Sequence, residues 1–203
     1  MVDHGIILSK GERDDKIAEL LHSVDLDPKV ANMYPHELSG GMKQRVTVAM
    51  SIALEPDLVI ADEPTSALDV VIQRRVMETI NRIQDELGLA VILIGHDMGL
   101  MAQSVNRLAV MYAGKMMEIG ETHGIFNNPL HPYTQLLISS LPVLENKGVF
   151  SGIPGITPSL LNPPGGCVFH TRCPKAWDLC REKIPEYVEV EPGRFVACHL
   201  HTV

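Results

Sequence analysis

Leu58-Val59-Ile60-Ala61-Asp62-Glu63 is a short apolar run that ends in two carboxylates. It follows the breaker Glu55-Pro56-Asp57 and reads as a central strand of the kind covered on both faces. Over residues 70–87 the apolar positions Ile72, Val76, Ile80, Ile83 and Leu87 recur at helical spacing, with Asp69 placed to cap the start and Gly88 to end it. Residues 89–94 are a second apolar run. Strand, helix and strand in this order close a right-handed crossover, so the two strands are expected side by side and parallel in an α/β fold. Ligands of such sheets bind beyond the carboxyl ends of the strands, which is where Asp62 and Glu63 stand.

Working outward, Ile17, Leu20, Leu21 and Val24 form one helical stripe over residues 14–24. Ser39-Gly40-Gly41 opens a second helix over residues 42–54. Downstream, residues 97–105 read as a helix, residues 108–112 and 115–119 as a hairpin at the sheet margin around Ala113-Gly114, and residues 133–141 as a last helix. Proline and glycine dominate residues 142–166, which read as a linker leading to a small cysteine-bearing module. The expected division is therefore residues 1–141 and 142–203.

The formal net charge is -8 and the basic residues are scattered, so no stripe is available to neutralise a phosphate backbone and nucleic acid is not an expected partner. No run of eighteen apolar residues occurs, and Met1-Val2-Asp3-His4-Gly5 has neither the basic start nor the apolar stretch of an export signal. A cytosolic chain that meets membranes through other proteins is expected.

Taken singly, Asp62-Glu63 could be solvated carboxylates, Ser39-Gly40-Gly41 a helix cap and His96 a structural histidine. Their order says more. Leu38-Ser39-Gly40-Gly41-Met42-Lys43-Gln44-Arg45 resembles the signature motif of ABC ATPases, and the strand ending in Asp62-Glu63 resembles their Walker B strand. Ser66-Ala67-Leu68-Asp69 is similar to the D-loop, and His96, after the second strand, to the switch histidine. The resemblance implies a partial P-loop NTPase core using ATP and Mg²⁺. In it Asp62 serves the metal through water, Glu63 acts as base, His96 contacts the terminal phosphate, and Ser39, Gly40, Gly41, Gln44 and Asp69 border nucleotide. The physics suits the glycines: bare backbone N–H groups at a helix start approach an oxyanion, and the helix dipole adds positive charge.

His131-Pro132-Tyr133-Thr134 before an apolar helix is similar to a motif of the oligopeptide and dipeptide import branch. That branch implies a second ATPase subunit, two membrane-spanning permease subunits and an extracytoplasmic peptide-binding protein as partners, with this chain peripheral at the cytoplasmic face of the membrane. Two rival readings stay open: a soluble ABC ATPase of DNA repair or translation, and a non-catalytic partner lending only its signature motif.

Two departures matter. No Gly-x-x-x-x-Gly-Lys-Ser/Thr occurs in the 203 residues, so half a nucleotide site and no ATPase activity of its own are expected, in either a gene fragment, the favoured reading, or a naturally short product. Gly95 stands where the family more often has a hydroxyl residue.

Cys167, Cys173, Cys180 and Cys198 are spaced C-x5-C-x6-C-x17-C, unlike the short zinc pairs or the familiar ferredoxin runs. Four thiols in a Gly/Pro-rich segment suit a metal clip that replaces apolar burial. The arrangement Gly166-Cys167-x-Phe169-x-x-Arg172-Cys173-Pro174 resembles the tail of dipeptide-importer ATPases that carry an iron–sulfur cluster. A four-iron cluster, zinc, and free or oxidised thiols all remain open, with His170, His199 and His201 as possible replacement ligands.

Overall fold

The computed structural model describes residues 8–141 and 152–202, so the amino-terminal reading of Met1-Val2-Asp3-His4-Gly5 and residues 142–151 of the expected linker lie outside the described residues. The chain forms two compact units, Met1–His96 and Asp97–Val203.

In the first unit, α1 (Lys10–Ser23) begins with a capping box: the Ser9 hydroxyl accepts from the Glu12 N–H, and Glu12 accepts from the Ser9 N–H at 2.8 Å. Two 3₁₀ turns, Pro28–Asn32 and Pro35–Glu37, lead to α2 (Gly40–Ile52), whose cap is Ser39. Next come β1 (Leu58–Asp62), α3 (Val70–Leu87) and β2 (Ala90–Ile94). The Asp69 carboxylate accepts from the Ile72 N–H at 3.0 Å to start α3, and Gly88 at φ +64° ends it. β1 and β2 pair in parallel from Leu58 opposite Ala90 to Asp62 opposite Ile94, as the crossover requires.

Leu21, Val24, Leu26, Val30, Ala49, Ile52, Ile83 and Leu89 make the core of this unit, and Val59 and Val91 pack on it from one face of the strand pair. The other face differs from the expectation of strands covered on both sides: Ile60 is 62% exposed and Ile92 49%. Period-two geometry sends alternate residues to opposite faces, and among the described residues only one of those faces meets a core.

In the second unit, α4 (Met98–Ser104) is capped by Asp97 and precedes β3 (Arg107–Tyr112) and β4 (Lys115–Glu121). Their turn places Ala113 at φ +46° and Gly114 at φ +74°, the two positive values of a tight hairpin whose twist matches its strands. After α5 (Thr122–Asn127) and α6 (Pro132–Ser139), the tail adds α7 (Asp178–Glu182), β5 (Tyr187–Glu191) and β6 (Arg194–Ala197). The sheet order is β3-β4-β6-β5, antiparallel throughout.

That order corrects two expectations. The β3–β4 hairpin belongs to a sheet with the tail and not to the sheet of the parallel pair. Nor does the cysteine segment stand as a separate small module, because β6 pairs with β4. An unpaired edge of a two-stranded hairpin exposes backbone donors and acceptors, and β6 satisfies those of β4. Phe169 is fully buried against Tyr112, Tyr133 and His131, with ring centroids at 5.1, 5.2 and 5.9 Å, which ties the tail to the hairpin and to α6.

Candidate functional site

Asp62 is the last residue of β1, Glu63 follows it, and His96 lies two residues beyond the end of β2. Parallel register therefore brings all three to the same end of the strand pair. His96 Nδ1 lies 3.1 Å from Glu63 Oε1, and both side chains are open to solvent, which leaves the pair accessible to a ligand. Glu63 adopts φ +45°, a left-handed conformation unusual for a side-chain-bearing residue, and is held there by its N–H to the Ile94 carbonyl at 2.9 Å and its carbonyl to the Ser66 N–H at 3.0 Å. Such backbone strain, of order 1–3 kcal/mol, concentrates where a side chain must be aimed. A second instance is Ala67 at φ +59°, in the turn between Glu63 and Asp69.

The start of α2 packs against that turn. A Cβ at Gly40 would sit 2.9 Å from Leu68 Cδ2, and one at Gly41 would sit 2.6 Å from Ile72 Cγ2. Ser39 Oγ accepts from the Met42 N–H at 3.3 Å, while the Gly40 and Gly41 N–H groups occupy the first turn, where a helix supplies no internal acceptor. Arg45 anchors the helix by donating to the Asp25 carbonyl at 3.1 Å, and Gln44 is half-buried on α2. The sequence-selected residues thus fall into two groups, Asp62–Glu63–His96 and Ser39–Gly41 with Leu68–Ile72. Asp69 caps α3 and so belongs to the second.

In the second unit Cys167, Cys173, Cys180 and Cys198 line one small cavity together with His131, His170 and His199. All four are free thiols, and the Cys167 N–H donates to the Cys180 carbonyl at 2.8 Å. Burial raises the Cys167 and Cys173 thiols, and pushes Cys198 up to about 11, so each prefers its protonated form at neutral pH. Among the described residues no three Cys, His, Asp or Glu side chains are drawn together as a metal-holding group. The replacement-ligand histidines are engaged elsewhere: His170 with the Cys167 carbonyl, His199 with the Lys183 carbonyl, His201 with the Leu130 carbonyl.

Sequence reading missed the most buried polar assembly of this unit. Glu118, fully buried on β4, accepts from the Leu130 N–H at 2.9 Å, the His131 N–H at 2.9 Å and Arg194 Nη2 of β6 at 3.0 Å. Arg194 also donates to the Asn128 carbonyl. His131 Nδ1 in turn accepts from the Tyr133 N–H at 3.0 Å and caps α6, so the His131-Pro132-Tyr133 turn is held at both ends. The available signal was one carboxylate inside the apolar stretch Met116-Met117-Glu118-Ile119. Arg172 makes a second clamp, donating to the Pro154 carbonyl at 2.8 Å, the Ile153 carbonyl at 2.7 Å and the Tyr112 hydroxyl at 3.2 Å.

The first unit thus sets a parallel strand pair, with two carboxylates and a histidine at its carboxyl end, beside a glycine-opened helix. A solved dimeric structure of the ATP-binding cassette MJ0796, in a post-hydrolysis state with ADP and Pi, matches with a TM-score of 0.51 and 29% identity, covering 58% of this chain and 50% of that one. The model of the ABC transporter family matches residues 2–66, and that of the oligopeptide/dipeptide transporter C-terminal region matches residues 117–180. The chain belongs to the ABC transporter family, in its oligopeptide/dipeptide branch.

Its relatives include the oligopeptide transport ATP-binding protein AppF of Bacillus subtilis, 49% identical over 94% of this chain and 59% of that protein. The dipeptide transport ATP-binding protein DppD of Caldanaerobacter subterraneus is 42% identical over 98% of this chain and 61% of that protein. The chain therefore spans less than two thirds of the length of these relatives.

Proposed function

We propose that the chain acts in an ATP-binding subunit of an ABC importer for oligopeptides or dipeptides. The observation that carries this reading is the Glu63–His96 pair at the carboxyl ends of β1 and β2, in a chain whose two family matches are an ABC transporter and an oligopeptide/dipeptide transporter region. The partners proposed are a second ATPase subunit, two permease subunits and, through them, an extracytoplasmic peptide-binding protein, at the cytoplasmic face of the membrane. Among the described residues no helix is long and apolar enough to cross a membrane.

ATP bound with Mg²⁺ would supply the phosphoryl bond whose hydrolysis drives transport. The donor chemistry fits: carboxylates for a hydrated hard cation, and a glycine-lined helix start for phosphate oxygens. Asp62 is assigned to the water shell of the metal, and Glu63 to taking a proton from the attacking water at its carboxylate. His96 holds Glu63 in place and reaches toward the terminal phosphate. Ser39, Gly40 and Gly41 present a hydroxyl and two N–H groups to a nucleotide on a facing subunit, with Gln44 and Asp69 bordering it.

For the tail we propose an iron–sulfur cluster, with zinc as the alternative. Support comes from the soft donor set and the cavity that all four cysteines share. Among the described residues the thiols as placed do not form a metal-holding group. Anaerobic purification followed by iron, sulfide and zinc analysis distinguishes the two metals; absence of all three rejects both.

The transport reading is tested by mixing the chain with an intact homologous ATPase subunit and measuring ATP turnover. Stimulation lost on Ser39→Arg is the expected result. Turnover untouched by the chain, or salt-dependent nucleic-acid binding in its place, overturns it.

A further inference from the structure

Ile72 leaves no room for a side chain at Gly41. The atom in the way of a Cβ at Gly41 is Ile72 Cγ2, at 2.6 Å, with Ile72 Cβ at 3.9 Å and Cδ1 at 4.0 Å behind it. Cγ2 is bonded directly to Cβ on a β-branched side chain, which has one strongly preferred χ1 rotamer in a helix. The neighbouring contact is of another kind: Gly40 faces Leu68 Cδ2, the far end of a flexible side chain that can swing away. Gly41 is buried and Gly40 is exposed, in keeping with that difference.

Ile72 also sits where it can transmit a position. Its own N–H is the donor that Asp69 accepts at 3.0 Å, so its backbone is tied to the cap of α3 while its side chain seats the first turn of α2. The turn before Asp69 is stiffened by Gln73, which donates to the Thr65 carbonyl at 3.2 Å.

We propose that Ile72 is a positioning residue for the signature turn, its Cγ2 seating Gly41 so that the Ser39–Gly41 donors and the Asp69 turn move as one rigid pair. This rests on the transport-ATPase reading above. On this geometry Gly41 is a glycine for packing and Gly40 one for exposure, although the two are adjacent in the same motif. A Cβ at Gly41 pushes the start of α2 off α3 and carries the phosphate donors with it. Misplacement on the ångström scale costs about tenfold to a hundredfold in turnover.

The test compares the chain with its Gly41→Ala, Ile72→Ala and double variants, and with Gly40→Ala, each mixed with an intact homologous ATPase subunit. Thermal unfolding and the kcat and KM for ATP are read on every mixture. Gly41→Ala should lower both the melting temperature and kcat/KM, and adding Ile72→Ala should recover at least half of each loss, because the obstructing atom is gone. Gly40→Ala should leave the melting temperature within a degree or two and should gain nothing from Ile72→Ala. A double variant no better than Gly41→Ala in either measurement overturns the seat; so does a Gly41→Ala chain that melts lower but keeps wild-type kinetics. If the wild-type mixture shows no stimulated turnover, the transport reading fails and the role of Ile72 falls with it, an outcome told apart by the unmutated control.

Discussion

Removing the Glu118 carboxylate should destabilise the second unit more than any exposed change of charge, and the size of the loss can be worked from its three bonds. Glu118→Ala leaves Arg194, whose side chain is 9% exposed, with only a longer 3.8 Å contact to the solvent-exposed Glu191 carboxylate, and leaves the N–H groups of Leu130 and His131 without an acceptor. Breaking a buried pair by deleting one partner costs about 3–5 kcal/mol, most of it the penalty of the stranded charge. Arg194 keeps the Asn128 carbonyl and the longer Glu191 contact, so the cost belongs toward the lower end of that range. Glu118→Gln keeps the shape and one oxygen but loses the charge; hydrogen bonds to charged groups are worth about 1.5–3 kcal/mol net, which sets its expected cost. Trp177 is the single tryptophan of the chain and packs in this unit, so its fluorescence during urea unfolding reports the relevant transition. The expected result is a lower midpoint at unchanged slope, the Ala variant falling further than Gln. Adding Arg194→Met to Glu118→Met should recover the share due to the stranded charge and leave the share due to the two amides. A Glu118→Ala transition that overlays the wild type, or a double variant no more stable than the single, would refute this account.

Three further outcomes follow from the same contacts. Burial lowers the His131 imidazole to about 4, with Glu118 opposing the shift and His201 adding to it. The unfolded chain takes up a proton below about 6.5 and the folded one only near 4, so the stability from neutral His131 is complete above the first value and is lost as pH falls through that window, by about 3 kcal/mol at most. Urea titrations at neutral pH and near pH 4.5 should differ accordingly, and His131→Asn, which keeps a capping acceptor, should flatten the difference. Phe169→Ala empties a fully buried site beside three rings and should cost about 3–5 kcal/mol, seen as a drop in melting temperature with loss of near-ultraviolet dichroism. Ala67→Gly relieves a left-handed alanine and should raise the stability of the first unit by about 1 kcal/mol or leave it unchanged; a decrease would show that φ +59° is no strain there.

Several elements were legible from local chemistry alone. α3 was readable to its ends, because a five-residue apolar stripe, an Asp cap and a terminating Gly all act within a few residues of each other. The parallel pairing of β1 with β2 followed from the handedness of a crossover, and the common end shared by Asp62, Glu63 and His96 followed from that pairing. The order of the motifs pointed to the family independently of geometry.

What the tertiary structure decided involves residues far apart in the chain. Glu118 looks like any charged residue of a half-exposed strand until Arg194, 76 positions later, and the turn before α6 close over it. The pairing of β6 with β4 sets Glu118 opposite Val196 and Ile119 opposite Phe195, partners too far apart in the chain for any local period to announce. In the same way, Ile72 reads as one more position of an apolar stripe, and only the 2.6 Å that would separate its Cγ2 from a Cβ at Gly41 gives it a different task. The physical reason is common to all three. Caps, turns and amphipathic periods are settled by neighbours along the chain, whereas the burial of a charge or the spacing of two helices depends on groups that become neighbours only on folding.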